Sequence, residues 1–220
     1  MVKVRMAAPV LQQNDEVAGE NRELFNKKNV FVLNLMSSPG SGKTSILEKT
    51  IGKLSKLLKL GVIEGDIYTT RDAERIEKFG VPVVQINTDG ACHLDARMVK
   101  PTLEDFDLDE LDLLIVENVG NLVCPAEFDL GEDARAAVLS ITEGNDKPVK
   151  YPLVFRQSKV VLLNKIDLLP YTDCEIELLE EDLKKINPEL ELFQVSARLD
   201  EGFAPWIAWL EEQVGLKKGS

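Results

Sequence analysis

The stretch Ser37-Ser38-Pro39-Gly40-Ser41-Gly42-Lys43-Thr44 brings glycines, an amine and hydroxyls together in a form suited to polyphosphate chemistry. Glycine lets backbone N–H groups turn toward one anion, and a helix that starts here adds the positive end of its dipole. The predicted cradle is Gly40, Ser41, Gly42, Lys43, Thr44 and Ser45. Lys43 would set its ammonium against the β- and γ-phosphates, and the Thr44 hydroxyl would ligate Mg²⁺. Ser37 stands where such loops usually begin with glycine, a departure that touches backbone packing at the loop's start and leaves the cradle intact. The alternative is a glycine-rich helix N-terminus with no ligand; the apolar run before the loop and its Gly-Lys-Thr close weigh against it.

A second constellation, Asn164-Lys165-Ile166-Asp167, follows the apolar run Val160 to Leu163. A carboxylate at Asp167 can accept from guanine N1–H and the 2-amino group, whereas adenine offers an acceptor at N1 and no 2-amino group. Asn164 would tie this loop to the phosphate loop, and the Lys165 stem would cover the purine face. Ser196-Ala197-Arg198 fits a turn whose N–H approaches guanine O6. Between these halves lies Glu117-Asn118-Val119-Gly120, an acid with glycine three later, the arrangement by which nucleotide switches sense a γ-phosphate. Asp66 and Asp72 are further candidate partners for metal or water, or are solvated loop charges. No glutamine is placed to orient water, so hydrolysis is expected to be slow.

Cys92-His93 joins the only histidine to one of three cysteines, and Cys124-Pro125 follows the γ-phosphate-sensing stretch. Thiolate and imidazole suit nickel, zinc or copper, but three ligands do not close a four-coordinate structural site, so the site would be open or shared. The competing reading is a small buried cysteine beside a capping histidine. Cys174, on an acidic helix, is read as structural.

Apolar runs at 30–36, 62–67, 82–86, 111–116, 138–142, 160–163 and 192–195 predict strands. Between them fall helices at 45–60, closed by Gly61 with Leu54, Leu57 and Leu58 inward, from 71 through Phe79, around Met98 and Val99, at 173–186 and around 206–214. An amphipathic helix over about 10–28, with Val10, Leu11, Val17, Ala18, Leu24 and Phe25 as its apolar residues, precedes them. Strands alternating with helices imply a mostly parallel sheet covered on both faces, a three-layer α/β fold of the P-loop NTPase kind. A single domain over residues 1–220 is expected, since 44% hydrophobic content supports a sizeable core and no low-complexity linker divides the chain.

A net charge of −12 disfavours nucleic acid and anionic membranes as partners. No run is long enough to span a bilayer, Met1 to Val10 lacks a signal peptide's apolar core, and an odd cysteine count fits a reducing compartment. A cytoplasmic protein is expected.

Met36 to Thr44, Cys92-His93-Leu94-Asp95-Ala96, Glu117-Asn118-Val119-Gly120-Asn121-Leu122-Val123-Cys124-Pro125 and Asn164 to Asp167, with Asn21-Arg22-Glu23-Leu24-Phe25 before the first strand, resemble the HypB family of hydrogenase nickel-incorporation GTPases. The resemblance spans nearly the whole chain. The urease nickel-delivery GTPases share the layout but carry a Cys-Pro-His metal motif that this chain lacks. The resemblance implies a GTPase that dimerises with GTP and binds nickel or zinc through Cys92, His93 and Cys124. It further implies help in loading nickel into [NiFe] hydrogenase, with a HypA-type nickel chaperone and the hydrogenase large-subunit precursor as partners. Mg²⁺ contact by Thr44 and Asp72 and a lysine of the 147–150 loop, such as Lys150, reaching the partner's nucleotide are also implied. Some relatives add an N-terminal cysteine motif or a histidine-rich tract; neither occurs in these residues, so nickel storage is not expected. Two other classes compete: a P-loop kinase acting on a small acceptor, and a metal-buffering protein with a regulatory nucleotide site.

Overall fold

In a computed structural model, which describes residues 10–66 and 70–219, strands rich in aliphatic residues form the centre of the molecule. They are β1 (Phe31–Ser37), β2 (Leu60–Asp66), β3 (Val83–Asn87), β4 (Leu113–Glu117), β5 (Ala134–Ser140), β6 (Val160–Asn164) and β7 (Glu191–Gln194). They pair in parallel throughout as one sheet in the order β3-β2-β4-β1-β5-β6-β7. The expected end of the second strand at Ile67, Thr69 of the following loop and the N-terminal residues Met1 to Pro9 lie outside the described residues.

Alternation along β1 shows how both faces are filled. Phe31, Leu33 and Leu35 join Ile46, Leu47 and Ile51 of helix α2 (Lys43–Leu54), Ile76 of α3 (Arg71–Glu77) and Trp206 and Leu210 of α9 (Phe203–Lys218). Val32 faces Phe25 of α1 (Val10–Lys28) and Val99 of α4 (Ala96–Thr102). Met36 faces Ala126 of α5 (Cys124–Glu127), Val154 and Phe155 of α7 (Pro152–Gln157) and Leu179 of α8 (Ile176–Ile186), α6 (Lys147–Lys150) lying between. β1 lies beside β4, and the connections leaving their C-terminal ends run to opposite sides of the sheet, β1 to β2 and β4 to β5, so the crevice between them is where ligands of such sheets bind.

Several sequence expectations need correction. The helix after the phosphate loop stops at Leu54, and Gly61 lies inside β2, where a Cβ would come within 2.9 Å of the Phe106 ring. Leu57, expected inward, is exposed. β5 begins at Ala134, earlier than expected, because alanines 134, 136 and 137 are buried between β1 and β6 and packing overrides their weak strand preference. A capping box between Ser140 and Glu143 turns the chain into a short 3₁₀ segment where strand was expected to continue.

The helix α1 spans the expected residues, but its buried stripe is Asn14, Ala18, Asn21 and Phe25, with Val10 and Leu11 exposed. The two asparagines anchor it. Asn14 donates to Asp129 O and accepts the Ala96 N–H, both at 2.8 Å, and Asn21 donates to the carbonyls of Ala96 and Leu130. No helix among the described residues is long and apolar enough to cross a membrane.

Candidate nucleotide site and metal centre

β1 ends at Ser37, whose side chain is buried and donates to Ser38 O, so the glycine usual at this position is replaced without opening the loop. The backbone then passes through Gly40 and Gly42, both left-handed, and α2 starts at Lys43. At Gly42 a Cβ would lie 2.3 Å from Asn164 Nδ2. That closeness exists because Asn164 Nδ2 donates to Ser41 O at 2.9 Å and Lys165 Nζ donates to Gly40 O at 2.7 Å. The two loops that the sequence singled out for phosphate and base are thus joined directly. Asp167 Oδ1 accepts from Ser196 Oγ at 2.6 Å. Within the Ser196-Ala197-Arg198 turn, the Ala197 N–H donates to Asn164 Oδ1 at 3.1 Å and so braces the base loop.

A cleft of about 390 Å³ opens above the phosphate loop, lined by that loop and by Ser45, Glu64, Asp66, Asp72, Arg75 and Gly120 among others. Arg75 ties its wall together, donating to Asp72 Oδ1 at 2.9 Å, to Ser45 Oγ at 3.2 Å and to both Glu48 oxygens. Sequence reasoning missed Arg75, although its position one helical turn after Asp72 was a usable signal. Lys150 lies outside the residues lining the cleft; it is exposed and paired with Asp146.

Beneath the cleft sit two buried carboxyl groups. Glu117 Oε1 accepts from Lys43 Nζ at 2.8 Å and from Thr44 Oγ1 at 2.7 Å. Glu64 faces Glu117 directly across the β2–β4 pairing. The Oε2 atoms of both are buried, and no donor from any other described residue reaches them, so the two carboxyls have only each other to bond to, through a shared proton. Buried polar atoms are normally satisfied, so these oxygens, beside a threonine hydroxyl, offer hard donors that fit Mg²⁺ or its water shell. Glu64 was not singled out from sequence, where Asp66 at the strand's end took attention; a lone glutamate inside the apolar run Leu60–Asp66 was the available clue.

Burial and the neighbouring Glu117 push the Glu64 carboxyl up to about 11. Burial also opposes ionisation of Glu117, but the Lys43 ammonium and hydrogen bonds from Glu64, Lys43 and Thr44 overcome it and hold its pKa below the ordinary value. One proton therefore sits on Glu64. Between the ordinary carboxyl range and about 11, the folded chain keeps a proton that the unfolded chain releases, so stability falls as pH rises through that window. Glu64→Gln is expected to remove this slope, at most about 1.4 kcal/mol per pH unit, because a neutral amide can also donate to Glu117. Thermal midpoints of the two proteins measured from mildly acidic to alkaline pH should diverge as pH rises; parallel curves would show that Glu64 is ionised throughout.

The loop after β3 carries the metal candidates. Thr88 Oγ1 donates to Ala91 O at 2.7 Å, and Asp95 caps α4 by accepting the Met98 N–H at 2.9 Å, so both ends of the loop are held. Cys92 Sγ lies 2.8 Å from Cys124 Sγ and 3.8 Å from His93 Nδ1, and one ligand atom from each of the three residues falls within 4.8 Å of the others. The His93 ring stacks on Phe128 with centroids 3.9 Å apart. The hydrogen bond to Cys92, with some burial, pushes the Cys124 thiol up, and burial pushes His93 down, which favours the neutral imidazole that binds metal. Cys174 lies just before α8, packed against the apolar cluster beneath it, and burial raises its pKa.

The two sites share one stretch of chain. Gly120 packs so closely on the phosphate loop that a Cβ would fall 3.3 Å from Pro39 Cα. Asn118 Oδ1 accepts the Leu94 N–H at 2.9 Å, Asn121 Nδ2 donates to Cys92 O at 3.3 Å, and Cys124 follows three residues later.

Comparison with known proteins agrees with this geometry. The profile of the CobW/HypB/UreG nucleotide-binding domain matches residues 31–194. The hydrogenase maturation factor HypB of Azotobacter vinelandii is 52% identical over 214 residues, covering 97% of this chain and 71% of that one. The crystal structure of hydrogenase maturation factor HypB from Archaeoglobus fulgidus superposes with a TM-score of 0.87 at 37% identity, over 93% of this chain and 100% of that one. The structure of HypB from Helicobacter pylori in complex with nickel gives 0.86 at 39% identity, over 92% and 95%. With the phosphate loop, the base loop and the thiol–imidazole cluster on one sheet edge, the chain belongs to the HypB family of hydrogenase maturation factors, and its sheet is a nucleotide-binding domain of the CobW/HypB/UreG kind.

Proposed function

We propose that this chain is a GTP-binding and GTP-hydrolysing metallochaperone whose nucleotide-dependent dimerisation and Cys92–His93–Cys124 site support nickel insertion into [NiFe] hydrogenase. The observation that carries the reading is the stretch 117–124, which touches the phosphate loop at Gly120 and ends in the Cys124 thiol. Gly40, Ser41, Gly42 and Ser45 hold the phosphates with Lys43, whose ammonium leaves Glu117 for the β- and γ-phosphates. Thr44 and Glu117, with Asp72 and Asp66 at the cleft wall, would hold Mg²⁺, which supplies charge neutralisation at the transferring phosphoryl group. Asp167, Asn164, Lys165, Ser196 and Ala197 form the guanine site, and GTP gives GDP and phosphate at a slow intrinsic rate.

Nickel or zinc is the cargo. One chain offers two thiols and an imidazole, and a second copy would complete the coordination by symmetry. This reading also takes Lys150 to reach the partner's nucleotide, and a HypA-type nickel chaperone and the hydrogenase large-subunit precursor as partners; family membership supports it.

Because a γ-phosphate acts on Gly120, metal affinity should differ between GDP and GTP-analogue states, and metal should change nucleotide affinity by the same factor, roughly 5–150-fold for couplings of about 1–3 kcal/mol. Nickel and zinc titrations in both states, with oligomeric state followed alongside, test this. Cys124→Ala is expected to abolish the difference. Identical affinities in both nucleotide states would instead favour a metal-buffering protein.

A further inference from the structure

A second, non-contiguous connection runs from the phosphate-sensing stretch to the metal candidates. Asn118, fully buried directly after Glu117, donates through Nδ2 to Asn34 Oδ1 on β1 at 3.2 Å. Asn34 Nδ2 donates to Glu132 Oε1 at 3.3 Å, and the same oxygen accepts from Arg135 Nε on β5. Both Glu132 and Arg135 are nearly buried, their side chains 3% and 12% exposed. The guanidinium then reaches the turn after Cys124, with Nη1 donating to Ala126 O at 3.0 Å and Nη2 to Phe128 O at 3.2 Å. Phe128 in turn carries the ring on which His93 lies, the two planes 22° apart.

We propose that Arg135 is a positioning residue for the Cys92–His93–Cys124 site, a clamp that holds the Cys124 turn and the Phe128 ring against His93 and is tied through Glu132 and Asn34 to Asn118. The inference rests on the nickel-handling reading above. Its chemistry is specific to arginine. Four acceptors, one carboxylate, two backbone carbonyls and the Gln157 side-chain oxygen, are met by one planar fork, whereas a lysine ammonium on a flexible stem cannot satisfy all four from that place. Stacking fixes the plane of the imidazole and so the direction in which Nδ1 faces the thiols. Groups that orient metal ligands in this way change metal affinity by about 10–100-fold when removed. The same turn hangs on Asn118 through the polar chain, while Leu94, next to His93, hangs on it directly. A shift of the Glu117–Gly120 stretch would therefore move both halves of the metal site together.

The test uses the full chain, nickel(II) and two substitutions, Phe128→Leu and Arg135→Lys, with nickel affinity and thiolate-to-nickel charge-transfer absorption read in the GDP and GTP-analogue states. Thermal midpoint and GDP affinity report fold integrity. Phe128→Leu, which keeps apolar volume and removes the ring, is expected to weaken nickel binding by roughly 10–100-fold and shift the charge-transfer bands while GDP affinity is retained. Arg135→Lys should weaken nickel in the same direction and reduce the difference between nucleotide states. A residue that only stabilised the sheet would lower the thermal midpoint and leave the nickel spectrum unmoved, and that result overturns the clamp. Should Arg135→Lys fail to fold, Phe128→Leu decides alone: unaltered nickel affinity and bands overturn the proposal. Nucleotide-independent nickel binding by the unaltered chain removes the underlying reading and the clamp with it; nucleotide-dependent binding matched by both variants removes only the clamp.

Discussion

Lys43→Ala is expected to weaken both GDP and GTP by roughly 30- to 5,000-fold, the range that corresponds to losing about 2–5 kcal/mol with one partner of a buried, hydrogen-bonded charge pair. The Lys43 ammonium is 2.8 Å from Glu117, and it would exchange that carboxylate for phosphate when nucleotide enters. The substitution therefore acts twice. It removes the cation that phosphates would meet, and it leaves Glu117 buried without the charge that keeps it ionised. Burial raises the energy of the bare carboxylate, so the variant should either lose stability, by about 3–5 kcal/mol, or take up a second proton at the Glu64–Glu117 pair. Fluorescent-nucleotide titration reads the first effect and thermal melting across pH reads the second. Thr44→Ala should behave differently, removing the hydroxyl proposed to ligate Mg²⁺ together with its hydrogen bond to Glu117, so that Mg²⁺-dependent hydrolysis suffers more than binding. Equal and small losses in both variants would refute the assigned roles.

For Asp167→Asn, we expect guanine nucleotides to lose roughly 100-fold or more, since two charge-assisted hydrogen bonds of about 1.5–3 kcal/mol each are affected. An amide can donate to the 2-oxo group of xanthine, so xanthine nucleotides should gain where guanine loses. The loop's placement supports the size of the effect. Lys165 adopts a left-handed backbone and reaches Gly40 O, Asn164 reaches Ser41 O, and Ser196 fixes one oxygen of Asp167 at 2.6 Å, so the carboxylate is held rather than mobile. A site organised to meet guanine's donors should also reject ATP by about 10⁴–10⁵, because adenine would leave the carboxylate unpaired. Competition among GTP, XTP and ATP against a labelled guanine nucleotide measures all three. ATP binding comparable to GTP in the unaltered chain would overturn the assignment of Asp167.

What the sequence by itself determined is the chemistry carried by short, contiguous stretches. Gly40 to Ser45, Asn164 to Asp167 and Cys92-His93 stand out because backbone conformation and residue type within a few positions are enough to propose a phosphate cradle, a guanine reader or a thiol–imidazole pair. The alternation of apolar runs with helical patterns likewise announced a parallel sheet with both faces covered, since only such a sheet buries nearly every strand residue. Element ends were less legible. The alanines of β5 and the stop at Leu54 depend on which neighbours fill the space, and local preference carries no record of that. Only the tertiary structure decided how distant residues meet. Strand register put Glu64 opposite Glu117 and buried the two carboxyl groups side by side beneath the cleft. Packing between remote segments turned Asn14 and Asn21 into the anchors of α1 and drew Arg135 from β5 onto the turn that carries Cys124. The physical reason is the same in each case. A buried polar group is satisfied by whatever partner the fold brings within about 3 Å, and that partner is set by register and packing, which no local spacing encodes.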